Sequence, residues 1–135
     1  MKITKLKIKY EDKNLVDINF SIDKSLALVG QSGSGKSLTL KALLGMLPDS
    51  MECELESDSG FELIAGDTIS FVPQNPFTAL SPLTKINKQF FISQDRQKEL
   101  FTQVGLDYEL LDRFAPELSG GQLQRVVIAM ALESN

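Results

Sequence analysis

Between Leu26 and Leu47 the chain changes its pattern twice, and that change restricts the fold more than any other stretch of the sequence. Leu26-Ala27-Leu28-Val29 is a continuous apolar run, the composition of a strand buried on both faces. Gly30-Gln31-Ser32-Gly33-Ser34-Gly35-Lys36-Ser37 follows at once and matches the pattern G-x-x-x-x-G-K-[ST]. From Lys36 to Leu47 apolar side chains then fall at helical spacing, among them Leu40, Leu43, Leu44 and Leu47, and Pro48 ends the pattern. Buried strand, glycine-rich loop and helix in that order predict an α/β fold organised around the loop. The glycines let the backbone curl with its amides pointing inward, and the helix start at Lys36 adds free N–H groups and the positive end of a dipole. This is a cradle for nucleotide phosphates. Lys36 supplies a point charge for the β- and γ-phosphates, and the Ser37 hydroxyl is a ligand for Mg²⁺.

The flanking segments read differently. Leu6, Ile8 and Tyr10 alternate with Lys5, Lys7 and Lys9, and Val16, Ile18, Phe20 and Ile22 alternate with polar residues after the break Glu11-Asp12-Lys13-Asn14. Two period-two segments around a short polar loop predict an antiparallel hairpin, its lysines forming a solvated face. Asp49, Glu52, Glu54, Glu56, Asp58 and Glu62 form an acidic run without calcium-loop spacing, which reads as a solvated edge or loop. Phe61–Ala65 and Thr68–Val72 read as two short strands around Gly66-Asp67. Pro73, Pro76 and Pro82 make the next stretch irregular, and helical patterns follow over Lys85–Ile92, Asp95–Val104 and Tyr108–Phe114. Gln122 to Leu132 is a further strong helix pattern, introduced by Leu118-Ser119-Gly120-Gly121.

Composition removes several function classes. The 135 residues contain no histidine, which excludes histidine acid–base chemistry and histidine metal ligands within them. Cys53 is the single cysteine and has no internal partner for a disulfide, in keeping with a reducing compartment. A net charge of −4 argues against nucleic acid as a partner. No apolar run approaches the roughly 20 residues that span a bilayer, and the start Met1-Lys2-Ile3-Thr4-Lys5 lacks the apolar core of a signal peptide.

The loop alone is shared by kinases, GTPases and motor ATPases. Leu118-Ser119-Gly120-Gly121-Gln122, followed by Leu123-Gln124-Arg125, narrows the choice, because it puts small residues directly before a helix and so makes a second anion-binding helix start. Together with Gly30–Ser37, this motif resembles the nucleotide-binding domain of ATP-binding cassette (ABC) proteins, over nearly the whole chain. Gly30–Ser37 and Leu38 resemble the family's phosphate loop, and Leu118–Gln122 resembles its signature motif. Phe71-Val72-Pro73-Gln74 resembles a strand running into the family's Q-loop. Asn75-Pro76-Phe77-Thr78-Ala79-Leu80-Ser81-Pro82-Leu83, Gly35–Thr39 and Leu123–Ala131 are similar to the branch serving peptide and nickel importers.

The resemblance implies a P-loop NTPase of ABC type with an N-terminal antiparallel β-subdomain and a helical insert. It implies a division into residues 1–76 (β-subdomain and loop core), 77–117 (helical subdomain) and 118–135 (signature motif and its helix). ATP and Mg²⁺ are the implied cofactors. The nucleotide would be bound by Tyr10 (stacking on adenine), Gly30, Gln31, Ser32, Gly33, Ser34, Gly35, Lys36, Ser37, Leu38 and Gln74, and across a dimer by Ser119, Gly120, Gly121 and Gln122; Ser37 and Gln74 would bind the metal. Tyr10 also reads as a hairpin core residue. The implied partners are a second ABC ATPase domain, as homo- or heterodimer, membrane permease subunits and, indirectly, a substrate-binding protein. The implied location is cytoplasmic and peripheral on the inner face of the cell membrane. Segments the family places after the signature helix, carrying a metal-binding aspartate, the catalytic glutamate and a switch histidine, have no counterpart here. The expectation is therefore a central sheet that is incomplete, no catalytic residue within these residues and negligible ATP turnover by the chain alone. A non-transport ABC ATPase and a P-loop small-molecule kinase are the alternative readings, and the kinase leaves Leu118–Gln122 unexplained.

Overall fold

The computed structural model describes residues 1–133; Ser134 and Asn135, the end of the expected segment 118–135, lie outside the described residues. The chain forms two compact units, Met1–Ile69 and Ser70 onward. This differs from the expected three-part division, because the signature helix shares one core with the helical stretch before it.

The first unit is built on a three-stranded antiparallel sheet of order β2-β1-β3, with β1 at Lys2–Tyr10, β2 at Lys13–Ser21 and β3 at Met51–Asp58. The expected hairpin is present: Tyr10 pairs with Lys13 across the turn Glu11-Asp12, where Glu11 takes a positive φ of 52°. Ile3, Leu6 and Ile8 of β1 are fully buried and meet Val16 of β2 and Ala42 and Leu43 of helix α1 (Lys36–Leu43). The acidic run is the edge strand β3. It sets Glu56, Glu54 and Glu52 opposite Lys5, Lys7 and Lys9, so the lysine-rich strand and the acid-rich strand neutralise each other across the ladder. Lys5 and Lys9 both pair with Glu54, and Lys7 pairs with Asp17 of β2. The Lys5 ammonium, as hydrogen-bond partner and neighbouring charge, lowers the Glu54 pKa, and Glu54 raises that of Lys5 in turn.

Three expectations for this unit do not hold. Leu26–Val29 is not a strand: Leu26 and Val29 are exposed, because the sheet of the described residues ends at β2 and β3 and no strand lies alongside to pair this backbone. Helix α1 stops at Leu43 rather than Leu47. Gly45 takes a φ of 65° and Met46 N donates to Lys41 O at 2.8 Å, a left-handed stop that outcompetes the remaining leucines. Phe61–Ala65 and Thr68–Val72 are not paired strands either. Ile64 O accepts from the amides of Asp67, Thr68 and Ile69, which curls the segment into a tight turn and leaves a single bridge between Ala65 and Ile69.

The second unit is helical. Helix α2 (Gln94–Gln103) starts at Ser93, whose hydroxyl accepts from Arg96 N, and helix α3 (Gly120–Ala131) starts at Ser119. Leu123, Val126 and Val127 of α3 are buried with Met130 packed beside them, the i, i+3, i+4, i+7 stripe of a core-facing helix. They join Leu100 and Phe101 of α2, and the Phe101 ring meets Phe90 edge-on at 6.0 Å. The helical patterns over Lys85–Ile92 and Tyr108–Phe114 resolve into short 3-10 turns at Ile86–Lys88 and Tyr108–Asp112, where Lys88 N, Gln89 N and Arg113 N bond three residues back and Ile86 N pairs with Arg113 O instead. No helix among the described residues is long and apolar enough to cross a membrane.

Candidate functional site

The loop Gly30–Ser37 owes its shape to two glycines in left-handed conformations and to one side chain. Gly33 and Gly35 have φ values of 81° and 87°, a region closed to most L-residues without strain. Gly35 is also sterically enclosed: a Cβ there would lie 2.6 Å from Cγ2 of Val16, a buried residue of β2. The Thr39 hydroxyl, itself buried, and the Thr39 amide both donate to Gly35 O, at 3.0 and 2.8 Å. Gly35 is thereby fixed as the entry to α1.

The Lys36 ammonium folds back over the loop and donates to Gly30 O and Gln31 O, both at 2.7 Å, and to Ser34 Oγ at 3.2 Å. Ser34 N donates to Gln31 O. One cation at the loop's centre thus ties its beginning to its middle. Residues 32–38 line a cavity of about 490 Å³. The first intrahelical bond of α1 runs from Thr39 N to Gly35 O, so the N–H groups of Lys36, Ser37 and Leu38 have no helical acceptor. Three amides and an exposed serine hydroxyl on one concave surface suit a polyphosphate and a hard cation. Lys36, whose three N–H donors are spent on the loop, adds its positive charge there and would exchange a loop acceptor for a phosphate oxygen. Leu38 is half-buried against the sheet core, so its share in such a site is its backbone.

The remaining predicted residues stand elsewhere. Tyr10 ends β1 at the hairpin tip, 43% exposed, so it is not sealed into the core, and it does not line the loop cavity. Gln74 is exposed on a bend of the second unit, and Phe71 and Val72 before it are exposed and irregular rather than a strand. Asn75 follows, its side chain accepting from Phe77 N at 3.0 Å to open the turn Pro76–Thr78.

Ser119 and Gln122 form a reciprocal capping box. Ser119 Oγ accepts from Gln122 N at 3.3 Å, and Gln122 Oε1 accepts from Ser119 N at 2.9 Å. Gln122 therefore acts on the turn through its side chain, while Gly120 and Gly121 present bare backbone. Two residues before this turn, Glu117 Oε2 accepts from Phe114 N at 2.6 Å. That N–H holds the Glu117 carboxyl below its ordinary range against some desolvation, and Arg113 adds to the effect. Replacing Gln122 by alanine removes half of the box and is expected to lower stability by about 1 kcal/mol, measurable as a reduced urea midpoint with unchanged m-value.

The supporting contacts of Val16 and Thr39 with Gly35 were hidden in the sequence. Val16 is an ordinary hairpin residue by pattern, and only the folded register shows that it backs the loop.

The sequence matches the family model described as ABC transporter over residues 14–135. It is similar to the oligopeptide transport ATP-binding protein OppD of Bacillus subtilis (strain 168), with 34% identity over 147 residues that cover 87% of this chain and 41% of the relative. It is also similar to the dipeptide transport ATP-binding protein DppF of Haemophilus influenzae, with 36% identity covering 89% of this chain and 43% of the relative. The metal-staphylopine import system ATP-binding protein CntD of Staphylococcus aureus is 32% identical over 91% of this chain and 56% of its own length. The chain thus spans less than half the length of the first two relatives.

Proposed function

The chain belongs to the ABC transporter family, and we propose that it serves as the ATP-binding part of an importer subunit, coupling ATP binding and hydrolysis to uptake of peptide, nickel or a similar small cargo. The observation that carries this reading is the loop: residues 32–38 line one cavity around Lys36, with the amides of α1 free at its floor. The functions for which the relatives are named, oligopeptide and dipeptide transport and metal-staphylopine import, support the cargo class.

In this reading the loop amides and Lys36 would hold the β- and γ-phosphates and the Ser37 hydroxyl would offer an oxygen to Mg²⁺, while Gln74 carries a metal-ligand oxygen by its resemblance to the family's Q-loop alone. Both are hard neutral donors, which suit an ion whose remaining ligands are phosphate oxygens and water. Bound there, the metal would neutralise charge developing on the phosphates during hydrolysis. Tyr10, exposed at the hairpin tip, offers its ring to the adenine. Ser119, Gly120 and Gly121 meet the nucleotide held by a second ABC domain, with Gln122 holding their turn. Permease subunits dock on the helical unit, which places the protein on the cytoplasmic face of the membrane, with a substrate-binding protein acting on the far side.

Two measurements test this. Calorimetric titration of the chain with ATP and Mg²⁺ is expected to saturate at one nucleotide per chain, and an absence of saturable binding overturns the site. Affinity purification of the tagged full-length protein from membranes is expected to bring down permease subunits. Recovery with ribosomes or DNA instead would reject transport.

A further inference from the structure

The signature turn is closed at its start by the Ser119–Gln122 capping box, and one further side chain holds it from a second direction. Gly120 and Gly121 occupy the first turn of α3 and carry no side chains to fix them. Glycine is also the weakest helix former after proline, by about 1 kcal/mol per residue relative to alanine. The apolar stripe Leu123, Val126 and Val127 holds the body of α3 to the core, but apolar burial is non-directional and does not set how the first turn is rotated.

Arg125, exposed on α3, reaches across. Its Nε donates to Gly121 O at 3.3 Å and its Nη1 donates to Gly105 O at 3.0 Å. Gly105 terminates α2 with a φ of 69°, its amide returning to Thr102 O at 3.1 Å. A Cβ at residue 105 would sit in ordinary van der Waals contact with Arg125 Nη1, at 3.7 Å, so it is the positive φ and not the guanidinium that calls for glycine here. The carbonyl it meets lies two residues past Gln103, the last residue of α2, just beyond the end at which the helix dipole favours a cation. One fork therefore joins the end of α2 to the signature glycine.

We propose that Arg125 is a positioning residue for the signature motif: by bridging Gly105 O and Gly121 O it sets the orientation of the Gly120–Gly121 backbone toward the nucleotide of the second domain. It acts through Gly121 and does not itself touch nucleotide. The inference rests on the cross-dimer role given above to Ser119–Gly121.

Arg125→Met and Arg125→Lys in the full-length protein test it. Both keep the long aliphatic stem, so both are expected to fold with melting temperatures near that of the parent. Methionine removes both donors, and ATP-dependent dimerisation followed by sedimentation should weaken by at least roughly tenfold, the scale that a single charge-assisted hydrogen bond reaches. Lysine keeps the charge but cannot present two fixed donors, so it should restore only part of that loss. ATP affinity of the monomer should stay within roughly twofold of the parent, since the two hydrogen bonds lost lie outside the phosphate loop and leave the loop's own contacts intact. Unchanged dimerisation in the methionine variant, full rescue by lysine, or an equal fall in monomer affinity each overturns the proposal. Ser119→Arg, run in parallel, separates the two levels. If it blocks dimerisation while the Arg125 variants do not, only the positioning role fails. If it too leaves dimerisation intact, the cross-dimer reading itself falls.

Discussion

Gly35→Ala is expected to collapse nucleotide binding and to lower the stability of the first unit together. Two costs combine at this position. A non-glycine residue at a φ of 87° carries left-handed strain of roughly 1–2 kcal/mol. The new methyl group would also stand 2.6 Å from Val16 Cγ2; Val16 is packed against Ile3, Leu6 and Ile8, and forcing extra volume into such a core costs about 1–3 kcal/mol. A total near 3 kcal/mol is a large fraction of the roughly 5–15 kcal/mol that holds a domain together. Relief would come from moving Gly35 away from Val16, which breaks the Thr39 bonds to Gly35 O and tilts the start of α1. Since the amides of Lys36, Ser37 and Leu38 belong to that start, the cavity loses its floor. Lys36→Ala is the companion variant. Its ammonium bonds only to loop atoms among the described partners, Gly30 O, Gln31 O and Ser34 Oγ, so the melting temperature should change little while ATP affinity falls roughly a hundredfold. Thermal melts and ATP titrations of the two proteins decide the matter. Should Gly35→Ala melt like the parent and bind ATP normally, the Val16–Gly35 contact does not shape the loop.

The contrast between these two residues shows what could be read from the sequence. Lys36 was legible because its chemistry is local: the spacing of Gly30, Gly35, Lys36 and Ser37 is itself the motif, and the fold had only to bend the chain. Helix α3 was legible for the same reason, since Ser119 and Gln122 cap it within one turn and Leu123, Val126, Val127 and Met130 mark its buried stripe. What failed depended on partners distant in the chain. Leu26–Val29 has the composition of a buried strand, but a strand is defined by neighbours, and none flanks it among the described residues. The acidic run, read as a solvated edge or loop, is the exposed edge strand β3; what was not read was its partner. Glu52, Glu54 and Glu56 alternate with Met51, Cys53 and Leu55 in strand fashion, and they mirror Lys9, Lys7 and Lys5; reading the two charge runs against each other would have paired β3 with β1. The early end of α1 was available in Gly45 and was overruled by Leu47. Arg125 carried no signal of its own, because its two acceptors are backbone carbonyls and any sequence supplies those.

Ser119→Arg is the second decisive variant, and it probes the other unit. Ser119 is exposed, and its hydroxyl serves as the N-cap of α3. Losing that cap costs about 1 kcal/mol, which Leu118, Leu123 and Val126, all buried in the core, leave the unit able to bear. Monomer ATP affinity should be unaffected, because Lys36 and the α1 amides are organised by contacts within the first unit. ATP-induced dimerisation of the full-length protein should fall by roughly a hundredfold, the scale of removing a central contact from an interface. Arginine makes a stringent choice. Its charge is attractive to a polyphosphate, so a loss of association has to come from bulk at a place where backbone amides approach the ligand closely. Ser119→Ala supplies the comparison, since it removes the hydroxyl, and with it both the cap and the contact that oxygen would make with nucleotide, without adding bulk, and should weaken dimerisation less than arginine does. Sedimentation with and without ATP reads both. If Ser119→Arg lowers monomer affinity as much as dimerisation, the turn contacts nucleotide within its own chain, and if alanine is as damaging as arginine, the hydroxyl rather than the open glycine surface is what the second domain requires.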